Sequence, residues 1–119
     1  MKSILVIEDD RKIAMALTLR LKCAGYEAIM AHDARSGIQA AVHNRPHLLL
    51  LDIGLPDSDG FAAAQEIQSL VPALIPFIFI TASKEPAFRE RATQLGAAGF
   101  FEKPYEADEL LAAIQKALG

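Results

Sequence analysis

The sequence lacks the features of secreted, membrane-spanning and nucleic-acid-binding proteins. It has a single cysteine, Cys23, so no internal disulfide can form, and we expect a buried thiol in a reducing compartment. No apolar stretch reaches the roughly 20 residues that span a bilayer, and the apolar part of the opening MKSILVIEDD is too short for a signal peptide. The formal charge of −3 carries no polybasic signature, which argues against direct binding to nucleic acid or to a membrane. These absences predict a cytoplasmic protein whose partners are proteins.

The composition indicates one globular domain. Hydrophobic residues make up 52% and charged residues 23% of the chain, as in ordinary folded proteins. Its 119 residues fall in the commonest range of domain sizes, about 100 to 150. No low-complexity linker and no long repeat divides the sequence. We therefore predict a single domain over residues 1–119.

Short β-branched or leucine-rich runs alternate with segments of helical periodicity along the whole chain. The runs predict strands at 3–7, 26–31, 48–51, 75–80 and 99–101, with a helix after each. Asp33 is the expected N-cap of the second helix, and Gly25 is expected to end the first. Helical spacing places Val42 and Leu70 on buried faces. Right-handed crossovers then favour an α/β fold with an open, doubly wound parallel sheet, whose ligands bind at the carboxyl ends of the strands.

Polar residues follow four of the five predicted strands and should converge at one edge of the sheet. They are Glu8, Asp9 and Asp10 after the first strand, Asp52 after the third, Thr81 after the fourth and Lys103 after the fifth. Two carboxylates about 4 Å apart repel by about 4 kcal/mol at an effective dielectric near 20, so a positive charge must hold such a group together. Mg²⁺ is the expected cation because it prefers oxygen ligands and binds through one or two carboxylates plus a phosphate.

This combination of groups suits phosphoryl transfer to a carboxylate. A metal ion and the lysine would neutralise the phosphoryl oxygens while a carboxylate attacks and forms an acyl phosphate. Asp52 is the best nucleophile because it is alone at the end of the most apolar strand. Glu8 and Asp9 are adjacent and better placed to hold the metal.

The same residues also have simpler interpretations. The run from Glu8 to Asp10 fits a solvated helix start, where acids are favoured by the helix dipole. The Thr81 hydroxyl could be satisfied by nearby backbone. Gly60 fits the turn and helix entry that follow the third strand. The three histidines, His32, His43 and His47, have no mutual metal-ligand spacing and are expected at the surface or in loops.

Four segments bring these residues together in a known order: VIEDD, LLLLDIGLPDSDG, FIFITA and GAAGFFEKPY, which cover essentially the whole chain. With them the sequence resembles a response-regulator receiver domain of two-component signalling, the CheY-like family. The resemblance implies a flavodoxin-like sheet of strand order 2-1-3-4-5. It also implies a signalling switch rather than an enzyme, one that accepts a phosphoryl group on Asp52 and promotes its own phosphorylation and dephosphorylation. The implied partners are a sensor histidine kinase or histidine phosphotransfer protein and an effector or tethered output domain, with a homodimer left open.

The resemblance further assigns roles to individual residues. The implied Mg²⁺ ligands are Glu8, Asp9, Asp52 and the carbonyl of Gly54. The phosphoryl group is contacted by Thr81, by Lys103 and by the backbone amide of Ala82, and the Lys103–Pro104 peptide is cis. Phe100 takes the place of the switch aromatic, which turns into space that Thr81 vacates on phosphorylation.

Three other functions remain to be weighed. An aspartyl phosphatase of the haloacid-dehalogenase kind uses similar groups but normally has a second acid two residues after the nucleophile, where this chain has Gly54. A nucleotide-binding domain needs a glycine-rich phosphate cradle in its first turn, where the acids here would repel phosphate. A degenerate receiver that serves only for docking would lack the acceptor, the threonine or the lysine, and this sequence has all three.

Overall fold

The computed structural model describes residues 1–119 as a parallel sheet with helices on both faces. The elements are β1 (Ser3–Ile7), α1 (Arg11–Cys23), β2 (Glu27–Ala31), α2 (Ala34–Asn44), β3 (Leu48–Asp52), α3 (Gly60–Leu70), β4 (Phe77–Thr81), α4 (Pro86–Gln94), β5 (Gly99–Glu102) and α5 (Ala107–Leu118). The strand order is β2-β1-β3-β4-β5, and every neighbouring pair is parallel. This confirms the predicted fold class and strand order. None of the helices combines the length and the apolar character needed to cross a bilayer.

Side chains of the central strands alternate between two hydrophobic cores. One core takes Leu49 and Leu51 of β3 together with residues of α2, α3 and α4. The other takes Leu48 and Leu50 together with residues of α1 and α5. A strand covered by helices on both faces needs an apolar residue at every position, which explains the run of four leucines.

The end of α1 follows from Gly25, as predicted. Gly25 has a φ of +95°, a left-handed conformation that glycine adopts without steric cost. The chain then turns back on the helix, and the N–H of Tyr26 donates to the carbonyl of Leu21 at 3.1 Å. Because the N–H of Tyr26 is bonded to α1 rather than to the sheet, β2 begins at Glu27, one residue later than predicted.

Three side chains that we expected to be buried are exposed instead. Cys23 is the last residue of α1 and is exposed, so the expectation of a buried thiol is wrong. Leu70 is the last residue of α3 and is 53% exposed. Val42 is 39% exposed because α2 buries Ala34, Gly37 and Ala41, and Val42 lies one position further around the helix. Helical periodicity located the helices but not the edges of their buried faces.

The fourth strand also begins later than predicted. Proline has no N–H to donate to a strand ladder, and β4 starts at Phe77, directly after Pro76. The carbonyl of Pro76 still accepts from the N–H of Leu49 at 3.0 Å. The shift leaves Thr81 as the last residue of β4, at the carboxyl edge of the sheet.

Candidate functional site

The carboxyl ends of β1, β3, β4 and β5 bring the predicted polar residues to one edge of the sheet. Asp52 is the last residue of β3, and Thr81 is the last residue of β4. β1 and β3 are direct neighbours, and their register pairs Ile7 with Leu51. Glu8 therefore follows β1 level with Asp52, as the sequence analysis predicted.

Lys103 connects the two carboxylates across the end of the sheet. Its Nζ donates to Glu8 Oε1 at 2.6 Å and to Asp52 Oδ2 at 2.9 Å. The three side chains are largely removed from solvent, with exposed fractions of 15% for Lys103, 5% for Glu8 and 9% for Asp52. The backbone N–H of Lys103 donates to the carbonyl of Thr81 at 2.8 Å, which fixes the lysine to the end of β4. The peptide between Lys103 and Pro104 is cis, as the resemblance implied.

Two acids share one ammonium group, so the cluster is short of positive charge. Desolvation raises the pKa of Glu8 to about 7; the hydrogen bond from Lys103 opposes this rise and the nearby Asp52 adds to it. Burial alone would lower the pKa of Lys103, but its bonds to Glu8 and Asp52 outweigh burial and raise it. The lysine therefore stays protonated, while the full ionisation of both acids calls for a further cation.

Asp9 completes a group of oxygens that fits a divalent cation. Carboxylate oxygens of Glu8, Asp9 and Asp52 all lie within 4.8 Å of one another. Ligands of an octahedral Mg²⁺ at about 2.1 Å are roughly 3 to 4 Å apart, so small side-chain movements would complete three of its bonds. Asp9 is exposed, which leaves the open side that a partly hydrated Mg²⁺ requires. The donor set and its spacing fit Mg²⁺.

Asp10 does not join this cluster, so the predicted convergence is wrong for this one of the four acids. It is the N-cap of α1, and its Oδ1 accepts from the N–H of Lys12 at 3.0 Å and of Ile13 at 3.1 Å. The helix-start interpretation is therefore correct for Asp10 and wrong for Glu8, which is buried.

The loop between β3 and α3 is held close to Asp52. The N–H of Gly54 donates to Asp52 Oδ1 at 3.0 Å, which orients the carboxylate. Gly60 begins α3, and its N–H donates to the carbonyl of Ile53 at 2.9 Å. A Cβ on Gly60 would lie 2.5 Å from the carbonyl oxygen of Asp52, so only glycine fits there. Its role at the turn and helix entry is confirmed, and the Gly54 carbonyl as a metal ligand stays a prediction.

Thr81 is buried, and its hydroxyl oxygen already has a partner. Oγ1 accepts from the N–H of Ser83 at 3.0 Å, as in the simpler interpretation of a strand-end threonine. Ala82 follows directly and is exposed. The phosphoryl contacts of Thr81, Ala82 and Lys103 stay predictions.

Phe100 lies beside the end of β4. The register of β4 and β5 pairs it with Phe79, and Thr81 is two residues further along on the same face of the sheet. Phe100 is half-buried against the core, and the guanidinium carbon of Arg89 is 4.8 Å from its ring centroid. The position suits the switch role implied by the resemblance, which stays a prediction.

Sequence reasoning missed two residues near the cluster. His32 directly follows β2, and its Nδ1 lies 3.0 Å from the carbonyl oxygen of Glu8. Its place directly after a strand is a signal for a position near the cluster, which metal-ligand spacing does not detect. Asp57, in the loop after β3, accepts hydrogen bonds from the start of α2, and no local pattern predicts such a contact.

Comparisons with known proteins agree with the fold and identify the family. The family model of the response regulator receiver domain matches residues 4–115. The transcriptional regulatory protein YkoG of Bacillus subtilis is 34% identical over 115 residues, which are 97% of this chain and 50% of YkoG. KdpE of Mycobacterium tuberculosis is 31% identical over 118 residues, which are 99% of this chain and 51% of KdpE.

Two solved structures extend the comparison to three dimensions. The non-phosphorylated HemR receiver domain of Leptospira biflexa has a TM-score of 0.90 and 32% identity, covering 100% of this chain and 95% of that one. A CheY-like receiver domain protein of Methanospirillum hungatei has a TM-score of 0.91 and 28% identity, covering 99% and 94%.

The fold and the strand-end acids define a signalling module of the two-component class. The chain belongs to the response regulator receiver domain family. It spans about half the length of the transcriptional regulators that it matches.

Proposed function

We propose that this domain is a phosphorylation-dependent switch in which Asp52 accepts a phosphoryl group in a Mg²⁺-dependent reaction. The observation that carries the proposal is the Lys103 ammonium bonded to both Glu8 and Asp52, with Asp9 close enough to complete a cation site. The donor would be a sensor histidine kinase or a histidine phosphotransfer protein in the cytoplasm. An oxygen of Asp52 attacks phosphorus, the P–N bond to the donor histidine breaks, and the imidazole nitrogen keeps the electron pair.

The residues of the chain divide this work among them. Glu8, Asp9, Asp52 and the Gly54 carbonyl would hold Mg²⁺, which when bound neutralises charge on the phosphoryl oxygens. The Nζ of Lys103 is already 2.9 Å from Oδ2 of Asp52, and it would bind an oxygen of the phosphoryl group once that group is attached. The Thr81 hydroxyl and the Ala82 amide would contact the remaining oxygens.

The output of the switch would be a changed protein-binding surface. When Thr81 moves to the phosphoryl group, its Oγ1 leaves Ser83 and opens space on the face that Phe100 shares. Phe100 would turn into that space and alter the surface of α4, β5 and α5. An effector protein or a tethered output domain would read this surface, and a homodimer is one form that the readout can take.

The test is covalent labelling by a small phosphodonor with Mg²⁺, followed by intact mass. We expect one added phosphoryl group on the wild type and none on Asp52→Asn. Asp10→Asn is the matched control, because it removes a neighbouring acid while asparagine still caps α1. Equal labelling of Asp52→Asn and wild type would refute the assignment of the acceptor.

The family match also separates this proposal from the aspartyl phosphatase alternative. A phosphatase of that kind turns over a small phosphate ester in a steady state, whereas a receiver holds its phosphoryl group as a signal. Mass spectra taken over the labelling reaction would show which of the two occurs.

A further inference from the structure

Asp57 lies in the loop between β3 and α3 and reaches across to the start of α2. Its Oδ1 accepts from the N–H of Ala34 at 2.8 Å, and its Oδ2 accepts from the N–H of Arg35 at 3.0 Å. Both N–H groups are in the first turn of α2, where they have no partner within the helix. They lie 23 and 22 residues away in sequence, so the carboxylate joins two separate segments of the chain.

The loop that carries Asp57 is also tied down at its base. Gly54 and Asp59 form an antiparallel bridge, and the N–H of Gly60 donates to the carbonyl of Ile53 at 2.9 Å. These backbone bonds close the base of the loop, and the side chain of Asp57 fixes the part beyond it. The hydrogen bonds from α2 lower the pKa of Asp57, so the carboxylate that makes the contact is ionised at neutral pH.

The start of α2 is itself connected to the backbone of Glu8. β2 leads into α2, and the carbonyl of Ala31 at the end of β2 accepts from the N–H of Glu8 at 3.0 Å. His32 follows, with Nδ1 3.0 Å from the carbonyl oxygen of Glu8. A continuous set of contacts therefore runs from Glu8 through the start of α2 and Asp57 to the loop that carries Gly54.

We propose that Asp57 is a positioning residue for the cation site: it holds the loop of Gly54 at a fixed distance from Glu8 and Asp9. The inference rests on the proposed function, since it concerns Mg²⁺ binding at the same site. Asp57 touches neither the ion nor the phosphoryl group in this account. A loop ordered before the ion arrives avoids the entropy cost of ordering on binding, so loss of the contact should weaken Mg²⁺ binding and leave the nucleophile intact.

The test is a Mg²⁺ titration of the full chain, followed by backbone amide shifts in NMR spectra. Asp57→Ala should weaken Mg²⁺ binding by about three- to tenfold, less than the 10- to 100-fold typical for direct partners of metal ligands. Asp57→Asn should fall between Asp57→Ala and wild type, because its amide keeps one acceptor oxygen. At saturating Mg²⁺, the labelling rate of Asp57→Ala should return to that of wild type, which a damaged nucleophile would not allow.

Asp33→Ala is the matched control. Asp33 is an acid that caps the same helix, accepting from the N–H of Ser36 at 2.8 Å, but it makes no hydrogen bond with the loop after β3. We expect this variant to change Mg²⁺ affinity by less than about twofold, since surface charges are strongly screened. Equal losses in Asp33→Ala and Asp57→Ala would overturn the proposal, because charge or helix capping would then explain both.

Two other outcomes are equally decisive. Unchanged Mg²⁺ affinity in Asp57→Ala would overturn the positioning role while leaving the proposed function in place. A wild-type chain that neither binds Mg²⁺ nor takes the label would refute the proposed function itself. Should Asp57→Ala fail to fold, Asp57→Asn decides: a Mg²⁺ affinity equal to that of wild type would overturn the role, and an affinity below that of both wild type and Asp33→Ala would support it.

Discussion

Gly60 offers a sharp test of how closely α3 approaches the acceptor strand. In most helices, replacing glycine with alanine stabilises the helix by up to about 1 kcal/mol. Here the added Cβ would lie 2.5 Å from the carbonyl oxygen of Asp52 and 2.9 Å from the Cα of Ile53. Both are backbone atoms and cannot rotate away. Gly60→Ala must therefore push the start of α3 away from the end of β3.

The structure lets the two opposing effects be compared. Overpacking against a rigid neighbour costs about 1 to 3 kcal/mol. The displaced N–H of Gly60 would also weaken its 2.9 Å bond to the Ile53 carbonyl, which is worth about 0.5 to 1.5 kcal/mol. The gain in helix propensity is smaller than the combined cost of overpacking and of the weakened hydrogen bond. We expect Gly60→Ala to lower the free energy of unfolding by about 1 to 3 kcal/mol.

The assay is urea unfolding followed by far-ultraviolet circular dichroism. Gly54→Ala is the matched control on the same loop, because its Cβ would meet only Asp52 Oδ1, at 3.9 Å. It should change the free energy of unfolding by less than about 0.5 kcal/mol. A Gly60→Ala midpoint equal to or above that of wild type would refute the reasoning, since α3 would then tolerate a side chain at its closest approach to β3.

Two further predictions concern buried polar groups. Thr18 is 5% exposed and its hydroxyl has no hydrogen-bond partner, so Thr18→Val should raise the free energy of unfolding by about 1 kcal/mol in urea unfolding. Thr93 is the control: its exposed hydroxyl donates to the carbonyl of Arg89, so Thr93→Val should not raise the free energy of unfolding. A destabilised Thr18→Val would contradict the assignment of an unpaired hydroxyl at Thr18. The second prediction concerns Glu8, whose pKa rises from 4.5 to about 7. Between pH 4.5 and about 7, the Glu8 carboxyl group therefore keeps a proton in the folded protein that it releases in the unfolded chain. Without metal, the stability of wild type relative to Glu8→Gln should therefore fall by about 1 to 3 kcal/mol as the pH rises through this window, and a constant difference across it would count against the shift.

The positions of the strand ends could be predicted from sequence because one rule covers them all. Parallel strands end at a common edge, so any polar residue directly after a buried run points to the same place. The four leucines before Asp52 made that strand unmistakable, and β1 matched its predicted limits. The convergence of Glu8, Asp52, Thr81 and Lys103 needed only this rule.

The strand-end rule alone does not separate the roles of the neighbouring acids Asp9 and Asp10, although the family resemblance assigns only Asp9 to the metal. Both carry the same group, and local backbone geometry decides which of them faces the cluster. Asp10 has an extended backbone with φ of −75° and ψ of 109°, the conformation of an N-cap, and so its carboxylate turns to its own helix. The contact of Asp57 with α2 depends on how two distant loops pack, which sequence periodicity does not encode.

The two hydrogen bonds of the Lys103 ammonium group determine how its contacts would change when Asp52 is phosphorylated. The lysine now divides its hydrogen bonds between Glu8 and Asp52. A phosphoryl group on Asp52 would replace a charge of −1 with one near −2 and move that charge outward. Lys103 would then be drawn from Glu8 towards the phosphoryl oxygens, while its backbone stays bonded to the carbonyl of Thr81. The same lysine would therefore link the charge change at Asp52 to the end of β4, where the proposed response of the Thr81 hydroxyl to the phosphoryl group would also begin; one backbone hydrogen bond joins the two residues.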